Sequence, residues 1–237
     1  SKDVGFLAYK LGWLLERTAD QGDSPHEAMS AALAAYKVAN DCLSSEPFVL
    51  LRIVSIARAL GHYDQVRTAL HQLAARSLDQ EEAASLWYQG ALIALHFIDD
   101  RDQARRDLKR ASALSPTFTP ALSTLGQLAL EDSDYATLRR CFADEIESLE
   151  RRLFDVMGRD DVMTSYLRHT LLRRCYQYGQ LLADHGDVEV ALGYHLKATE
   201  HDPDFTPSLI ALEELYEQQS RWHRLITLYQ RRLEQLD

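Results

Sequence analysis

Histidine has the widest chemical repertoire in this chain, because its imidazole can ligate a metal or move a proton near neutral pH. The sequence contains nine histidines. The segment HEAMS at 26–30 begins like the helix of a zinc protease, but Ser30 stands where a second histidine is needed. His195 and His201 straddle a predicted helix end, six residues apart. Three more lack an acidic or histidine partner at ligand spacing: His71, His169 and His223. We therefore predict no metal site and expect the histidines on surfaces or between helices.

The other residue patterns of catalytic sites are missing from the sequence. There is no glycine-rich phosphate loop and no G-x-S-x-G turn, and no strand for such a turn to follow. The acidic pairs 99–100 and 160–161 fall in turns or at helix starts, where carboxylates cap a helix and oppose its dipole. We therefore predict no catalytic residue, no cofactor and no enzymatic activity, with a helical enzyme as the least favoured alternative.

Arginine doublets are the one charged pattern that suggests a ligand. They stand at 105–106, 139–140, 151–152, 173–174 and 231–232, and the first two are 34 positions apart. A stripe of arginines would bind phosphate or an acidic peptide. Acidic residues interleave the doublets, however, among them Asp107, Asp144, Glu147 and Glu234. This favours solvated, ion-paired helix faces, and the ligand hypothesis stays open as the alternative.

Composition limits the class of partner. A formal charge of −10 disfavours non-specific attraction to nucleic acid or to an anionic membrane, and no segment has the apolar length of a membrane span. Cys42, Cys141 and Cys175 lie far apart in apolar-periodic segments, so we expect three buried thiols and a reducing, cytoplasmic location. The start SKDVGF lacks methionine, which leads us to expect a processed or partial chain. The excess of arginine over lysine indicates a GC-rich, bacterial genome.

The elements that position these residues are helices. Ser24 with Glu27 and Asp79 with Glu82 have the spacing of capping boxes. Short polar turns separate apolar-periodic segments of helical period at 61–65, 99–103, 132–136, 185–189 and 219–223, and no strand pattern occurs. The order predicted is helix, tight turn, helix, longer turn, repeated along the chain.

One connecting sequence occurs twice in the chain. PTFTPAL at 116–122 returns as PDFTPSL at 203–209. Thr119 and Thr206 are predicted N-caps, each followed by a proline at the first helical position, where a missing N–H costs nothing. We expect Phe118 and Phe205 to fill the core between one helix pair and the next.

Two segments carry a family resemblance. Residues 122–146 contain Leu122, Leu125 and Gly126, then Tyr135, Leu138 and Phe142, and residues 175–203 contain Gly179, Ala191, Ala198 and Pro203. Both resemble the tetratricopeptide repeat (TPR), whose period is about 34 residues. Other units are more degenerate. The 87 residues between the two FTP segments do not fit whole repeats, so we predict two lengthened helices at about 134–157 and 161–184.

The resemblance implies an all-α fold, a right-handed superhelical α-solenoid of antiparallel helix pairs. We expect a single TPR-like domain over 1–237, with units at about 4–45, 46–78, 80–115, 117–157, 161–202 and 204–236, as part of a longer protein. It also implies a binding function. We expect a protein–protein interaction scaffold or adaptor, or alternatively a regulatory module that senses a ligand or peptide.

The resemblance places the binding groove on the first helix of each pair, along the concave face. The residues expected there are Leu51, Ser55, Arg58, Gln89, Ile93, His96, Ser123, Gln127, Leu130, Arg173, Tyr176, Gln180, Ile210, Glu214 and Glu217. No asparagine occurs among them, which disfavours a clamp for a terminal carboxylate. The expected partner is a protein or peptide segment with apolar anchors and some basic character.

The last helix, expected at 221–236, retains apolar residues at packing spacing: Leu225, Ile226, Leu228, Tyr229, Leu233 and Leu236. A repeat array normally ends in a unit with a polar outer face. We therefore expect either further chain beyond residue 237 or a second subunit, as in a homodimer, against this edge.

Overall fold

The computed structural model describes residues 2–19, 24–43 and 46–234, and every regular element in these ranges is helical. Twelve α-helices and one π-helical turn follow one another, without a strand, in the described ranges. Their bounds are α1 Lys2–Ala19, α2 Pro25–Cys42, α3 Pro47–Ala59, α4 Tyr63–Arg76, α5 Gln80–Ile93, the π-turn Ala94–Ile98, α6 Arg101–Leu114, α7 Thr119–Glu131, α8 Tyr135–Val156, α9 Asp161–Asp184, α10 Val188–His201, α11 Thr206–Gln218 and α12 Trp222–Glu234. The predicted all-α array is confirmed.

Tight turns within the helix pairs share one backbone conformation. A left-handed residue lies two positions before the second helix in five pairs. These residues are Gly61, Asp99, Ser133, Gly186 and Ser220, with φ values of 72°, 60°, 58°, 84° and 55°. A left-handed residue closes the end of the first helix and reverses the chain within three residues, so the two helices run antiparallel. The five predicted turns are confirmed.

Aspartates begin three of the helices. The carboxylates of Asp79, Asp100 and Asp160 accept hydrogen bonds from the backbone N–H groups of Glu81, Gln103 and Met163, at 2.8, 2.9 and 2.9 Å. Each bond satisfies a backbone donor that has no partner within the helix. The acidic pairs at 99–100 and 160–161 thus have a structural role, as predicted.

Other predicted caps are wrong in detail. The helices α7 and α11 begin at Thr119 and Thr206, so Phe118 and Phe205 occupy the N-cap positions. Each proline is then the second residue of its helix, not the first as predicted. Ser24 is an N-cap residue without a side-chain hydrogen bond. The carboxylate of Glu82 accepts from the Ser77 hydroxyl at 2.6 Å instead of completing a box with Asp79. Proline fixes the backbone angle of a helix start by itself, which makes a hydroxyl cap dispensable.

The chain divides into two compact units, unit 1 (residues 1–141) and unit 2 (residues 142–237). Two clusters of buried residues lie in the described part of unit 1. Leu50, Ile56 and Leu70 belong to the cluster built by α2, α3 and α4, and Leu108 and Leu125 belong to the cluster built by α5, α6 and α7. Phe118 packs against the second cluster with its ring edge on Tyr88, as expected of a residue that fills the junction between pairs.

Unit 2 is built around the long helix α9. Leu167, Leu171, Leu182 and Leu212 are fully or almost fully buried in it. The helices α8 and α9 have 22 and 24 residues, against 13 in α3, α7 and α11. The prediction of two lengthened helices is confirmed, and their extra turns account for the irregular spacing of the two FTP segments.

The cysteines are free thiols. Cys141 and Cys175 are buried as predicted, whereas Cys42 is only half-buried because it lies in the last turn of α2. Burial raises the pKa of the Cys175 thiol to about 12. This thiol therefore stays protonated at neutral pH and behaves as a small apolar side chain.

Candidate protein-binding surface

The predicted groove residues of unit 1 lie on the first helices of three pairs. Leu51, Ser55 and Arg58 are exposed on α3, and Gln89 is exposed on α5. His96 is exposed in the π-turn, and on α7 Gln127 is exposed while Ser123 and Leu130 are half-buried. The prediction that Ile93 lies in the groove is wrong. Its side chain is only 6% exposed and belongs to the core cluster of α2, α3 and α4. Its face of α5 turns toward the preceding helix pair.

A cleft of about 310 Å³ brings two of these residues together. It lies between the C-terminal end of α5 with the π-turn on one side and α7 on the other. The lining residues are Leu92, Leu95, His96, Arg101, Thr124, Gln127, Leu128 and Glu131. Three leucines provide an apolar floor, and an imidazole, an amide and two charged groups surround it. Apolar walls with a few polar groups are typical of binding sites.

An ion pair stands at the edge of this cleft. Arg101 Nη2 lies 2.7 Å from Glu131 Oε2 and 3.4 Å from Asp132 Oδ1. The side chains of Arg101 and Glu131 are 43% and 46% exposed, so water screens their attraction. Such exposed pairs stabilise a fold by about 1 kcal/mol or less. Both groups can therefore exchange their partner for a charged group of a ligand at little cost.

The π-turn at 94–98 accommodates one extra residue. Ala91 and Ala104 are thirteen positions apart, whereas the matching residues Gly179 and Ala191 are twelve apart. A π-turn is the form that a single insertion takes inside a helix, and such turns are frequent at functional sites. The turn stacks Phe97 on Tyr63 with ring centroids 4.1 Å apart and directs His96 to the cleft.

A polar cluster around the buried Asp107 was not predicted from the sequence. His71 Nε2 lies 2.9 Å from Oδ2 of Asp107, and Gln103 donates to Oδ1 of the same carboxylate at 2.7 Å. Asp107 is 1% exposed, and the His71 ring stacks on Trp87. His71 thus has an acidic partner after all, in the next helix pair and 36 positions away, where a search at ligand spacing does not reach.

The predicted groove residues of unit 2 lie on α9 and α11, two helices in contact. Arg173, Ile210, Glu214 and Glu217 are exposed, whereas Gln180 is half-buried. Tyr176 is also half-buried, and its ring lies edge-on to Phe205 and to His195. Tyr176 therefore contributes to packing, and the accessible part of this surface combines Arg173 and Ile210 with the acidic residues Glu214 and Glu217.

A second cleft, of about 330 Å³, lies in unit 2 between α10, α11 and α12. Three arginines line it, Arg224, Arg231 and Arg232, together with Glu200. Arg232 also binds Glu213 at 2.6 Å. The 231–232 doublet was predicted to lie on a solvated face, and no cleft was predicted beside it. Arg105, Arg151 and Arg174 do form ion pairs, with Asp102, Glu147 and Glu145.

Buried ionisable groups of unit 2 serve the packing of α8, α9 and α10. Burial raises the pKa of Glu145, although Tyr178 donates a hydrogen bond to it and Arg174 Nε lies 3.2 Å away. Partial burial acts against ionisation of Glu150 as well, but hydrogen bonds from Lys197 at 2.9 Å and His201 at 3.1 Å outweigh it and lower its pKa.

The left-handed turn residues show the repeat period. Asp99 and Ser133 are both left-handed turn residues and lie 34 positions apart, and the same spacing separates Gly186 from Ser220. Thirty-four residues, arranged as helix, turn and helix, define the tetratricopeptide repeat. The chain has a TPR-like helical repeat fold.

Comparison with known proteins gives matches among solved structures alone. No known family model and no curated protein match the chain. YrrB, a TPR protein with an unusual peptide-binding site, is 19% identical over 83% of this chain and 89% of its own, with a TM-score of 0.42. MamA is 19% identical over 86% and 94%, with the same TM-score. PilF of Pseudomonas aeruginosa is 14% identical over 90% and 98%, again with a TM-score of 0.42. The TPR-like assignment therefore rests on the helices and turns of this chain itself.

Two further properties of the TPR-like chain hold for residues 2–19, 24–43 and 46–234. No helix in these ranges combines the length and the hydropathy needed to cross a bilayer. Within the same ranges, no three histidine, cysteine, aspartate or glutamate side chains come together as metal ligands would.

Proposed function

We propose that this chain is a non-catalytic scaffold that binds a peptide or protein segment on the first helices of its pairs, with the cleft between α5 and α7 as the central site. The observation that carries the proposal is the composition of that cleft: an apolar floor with His96, Gln127, Arg101 and Glu131 around it. These groups do not form a catalytic arrangement. They do match the apolar and polar groups that a side chain and its peptide bond present.

The chemistry of the surface restricts the ligand. Leu92, Leu95 and Leu128 favour one apolar anchor side chain. Arg101 and Glu131 favour a neighbouring charged residue, which would replace one partner of the exposed ion pair. On unit 2, the exposed Glu214 and Glu217 favour a segment with basic residues. The ligand expected in the cleft is therefore a segment with an apolar anchor beside a charged residue, whereas the surface of unit 2 by itself favours a basic segment.

Selection from a peptide library displayed on phage tests the proposal without a known partner. We expect enriched peptides to share an apolar anchor. Their affinity should fall at least about tenfold, or 1.4 kcal/mol, for the double variant His96→Ala/Gln127→Ala. The double variant Arg106→Ala/Arg110→Ala is the matched control, because both side chains are exposed on the second helix α6 of the same pair. Failure to enrich any peptide, or equal loss in both variants, would contradict the proposal.

A regulatory module is a second candidate, favoured by the arginine-lined cleft of unit 2. The three guanidinium groups outnumber the carboxylates of Glu200 and Glu213 beside them, which suits an anionic ligand. Inorganic phosphate and a polyglutamate peptide are suitable probes. Either should raise the melting temperature of the chain and lose this effect in Arg224→Ala/Arg231→Ala. An unchanged melting temperature with both probes would remove this candidate.

A further inference from the structure

The two terminal helices each expose an apolar stripe. On α1 the stripe is Leu7, Leu11 and Leu14, which are 67%, 53% and 54% exposed. On α12 it is Ile226, Tyr229 and Leu233, which are 52%, 42% and 64% exposed. Residues three and four apart share one face of a helix, so each set forms a continuous strip along its helix.

Internal helices show what normally covers the position of the α1 stripe. Gly12 lies directly against Tyr36 of α2, as Gly179 lies against His195 of α10, which fixes the register of the first helices. With Gly12 matched to Gly126, Leu11 and Leu14 correspond to Leu125 and Leu128 of α7.

Those two α7 leucines are only 2% and 5% exposed, and both lie in one core cluster with Leu108 of the preceding helix α6. The α1 stripe is therefore the surface that the second helix of a preceding pair would bury.

The α12 stripe corresponds to the other side of such a junction between helix pairs. With Ser220 matched to the left-handed turn residues Gly61 and Asp99, Tyr229 corresponds to Leu70 of α4 and to Leu108 of α6. These leucines are 2% and 0% exposed. Leu70 shares its core cluster with Ile93 of the following helix α5, and Leu108 shares its cluster with Leu128 of α7. The α12 stripe is therefore the surface that the first helix of a following pair would bury.

We propose that the chain self-associates head to tail, with α12 of one copy seated on α1 of the next. The occupant of each stripe is then a second copy of this chain, and the contact continues the junction that α2 makes with α3, α4 with α5, α6 with α7 and α10 with α11. Tyr229 of one copy takes the place of Leu108, and Leu14 of the other takes the place of Leu128. The interface is heterologous, because the two surfaces that meet are different.

Complementation between two variants distinguishes this arrangement from a symmetric dimer. Leu11→Glu blocks the α1 edge and leaves α12 intact, whereas Tyr229→Glu does the reverse. Wild-type chain should form dimers and larger species as its concentration rises over about a hundredfold range in sedimentation velocity. Each variant alone should remain monomeric. An equimolar mixture of the two should form a dimer and stop there, since it has one intact α12 edge facing one intact α1 edge.

Leu78→Glu is the matched control, because Leu78 is a fully exposed leucine in the connection between α4 and α5. It should associate like the wild type. A wild-type chain that stays monomeric at every concentration overturns the proposal. So does a Leu11→Glu variant that still dimerises by itself, since that result would place α12 against α12. Circular dichroism of each variant confirms that the helices are retained, and none of these results depends on peptide binding.

Discussion

A fully buried histidine makes unit 2 sensitive to acid. His195 is 0% exposed, its Nδ1 lies 3.4 Å from the Ser208 hydroxyl, and Gly179 packs directly on its ring. Burial lowers the pKa of His195 from 6.5 to about 4, because the imidazolium would lose its hydration. The neutral ring thus contributes stability in full above pH 6.5, and this contribution is lost as the pH falls toward 4.

Chemical denaturation at a series of pH values tests this. Between pH 7 and pH 4 the wild type should lose about 3 kcal/mol that His195→Gln does not lose, since each pKa unit of difference corresponds to 1.36 kcal/mol. The carboxyl groups titrate alike in both proteins, so the difference between the two curves isolates the histidine. Parallel curves would show that the pKa of His195 is the same in the folded and in the unfolded chain, which would contradict the argument.

The carboxylate of Asp107 holds two helix pairs of unit 1 together. It accepts from Gln103 and contacts His71, and Arg67 Nη1 lies 3.9 Å away. Asp107→Ala leaves these half-buried groups without their acceptor, so we expect a loss of about 3 kcal/mol in urea denaturation. Asp102→Ala on the same helix is the control. Its carboxylate is 76% exposed and pairs with Arg105, so less than about 1 kcal/mol should be lost. Equal losses would contradict the assigned role.

Two glycines of unit 2 both have room for a Cβ atom, but only one of them has a left-handed backbone conformation. A Cβ atom added to Gly186 or to Gly193 would meet nothing within 4 Å. Gly186 is left-handed in the turn before α10, whereas Gly193 lies inside α10. We expect Gly186→Ala to destabilise the chain by about 1 kcal/mol and Gly193→Ala to stabilise it by up to about 1 kcal/mol. Thermal unfolding of both variants measures the difference, and a shift of the same sign would refute the argument.

Helix order could be read from the sequence because it depends on local signals. Proline at a helix start and small or polar residues in a turn act within three or four positions, and all five predicted turns are present. The N-cap residue was predicted one position late at Thr119 and Thr206, because proline is accepted at more than one position of the first turn.

Packing between helix pairs could be predicted only in part. The buried face of α5 was misjudged at Ile93, since an extra residue and a π-turn shift the register of that helix. The contact of His71 with Asp107 joins residues 36 positions apart, which no local pattern specifies. The α5–α7 cleft was likewise predicted only through His96 and Gln127, whereas its leucine floor requires both helices to be placed in space.

In the whole molecule, different surfaces are proposed to bind different partners. The first helices carry the cleft for a peptide, and the terminal helices carry the edges for a second copy. A net charge of −10 adds a long-range attraction for basic ligands, which salt will weaken. Association with a basic peptide should therefore slow as ionic strength rises, while the apolar edges should respond little.

Leucine-methyl NMR of the intact chain with a selected peptide is the most direct test of peptide binding in the cleft between α5 and α7. The account predicts that the methyl signals of Leu92, Leu95 and Leu128 shift on binding, because these side chains form the floor of the cleft. The methyl signals of the buried Leu50, which belongs to the other core cluster of unit 1 and does not line the cleft, should stay in place. Shifts confined to leucines of the second helices or of α12, with the three cleft leucines unchanged, would contradict it.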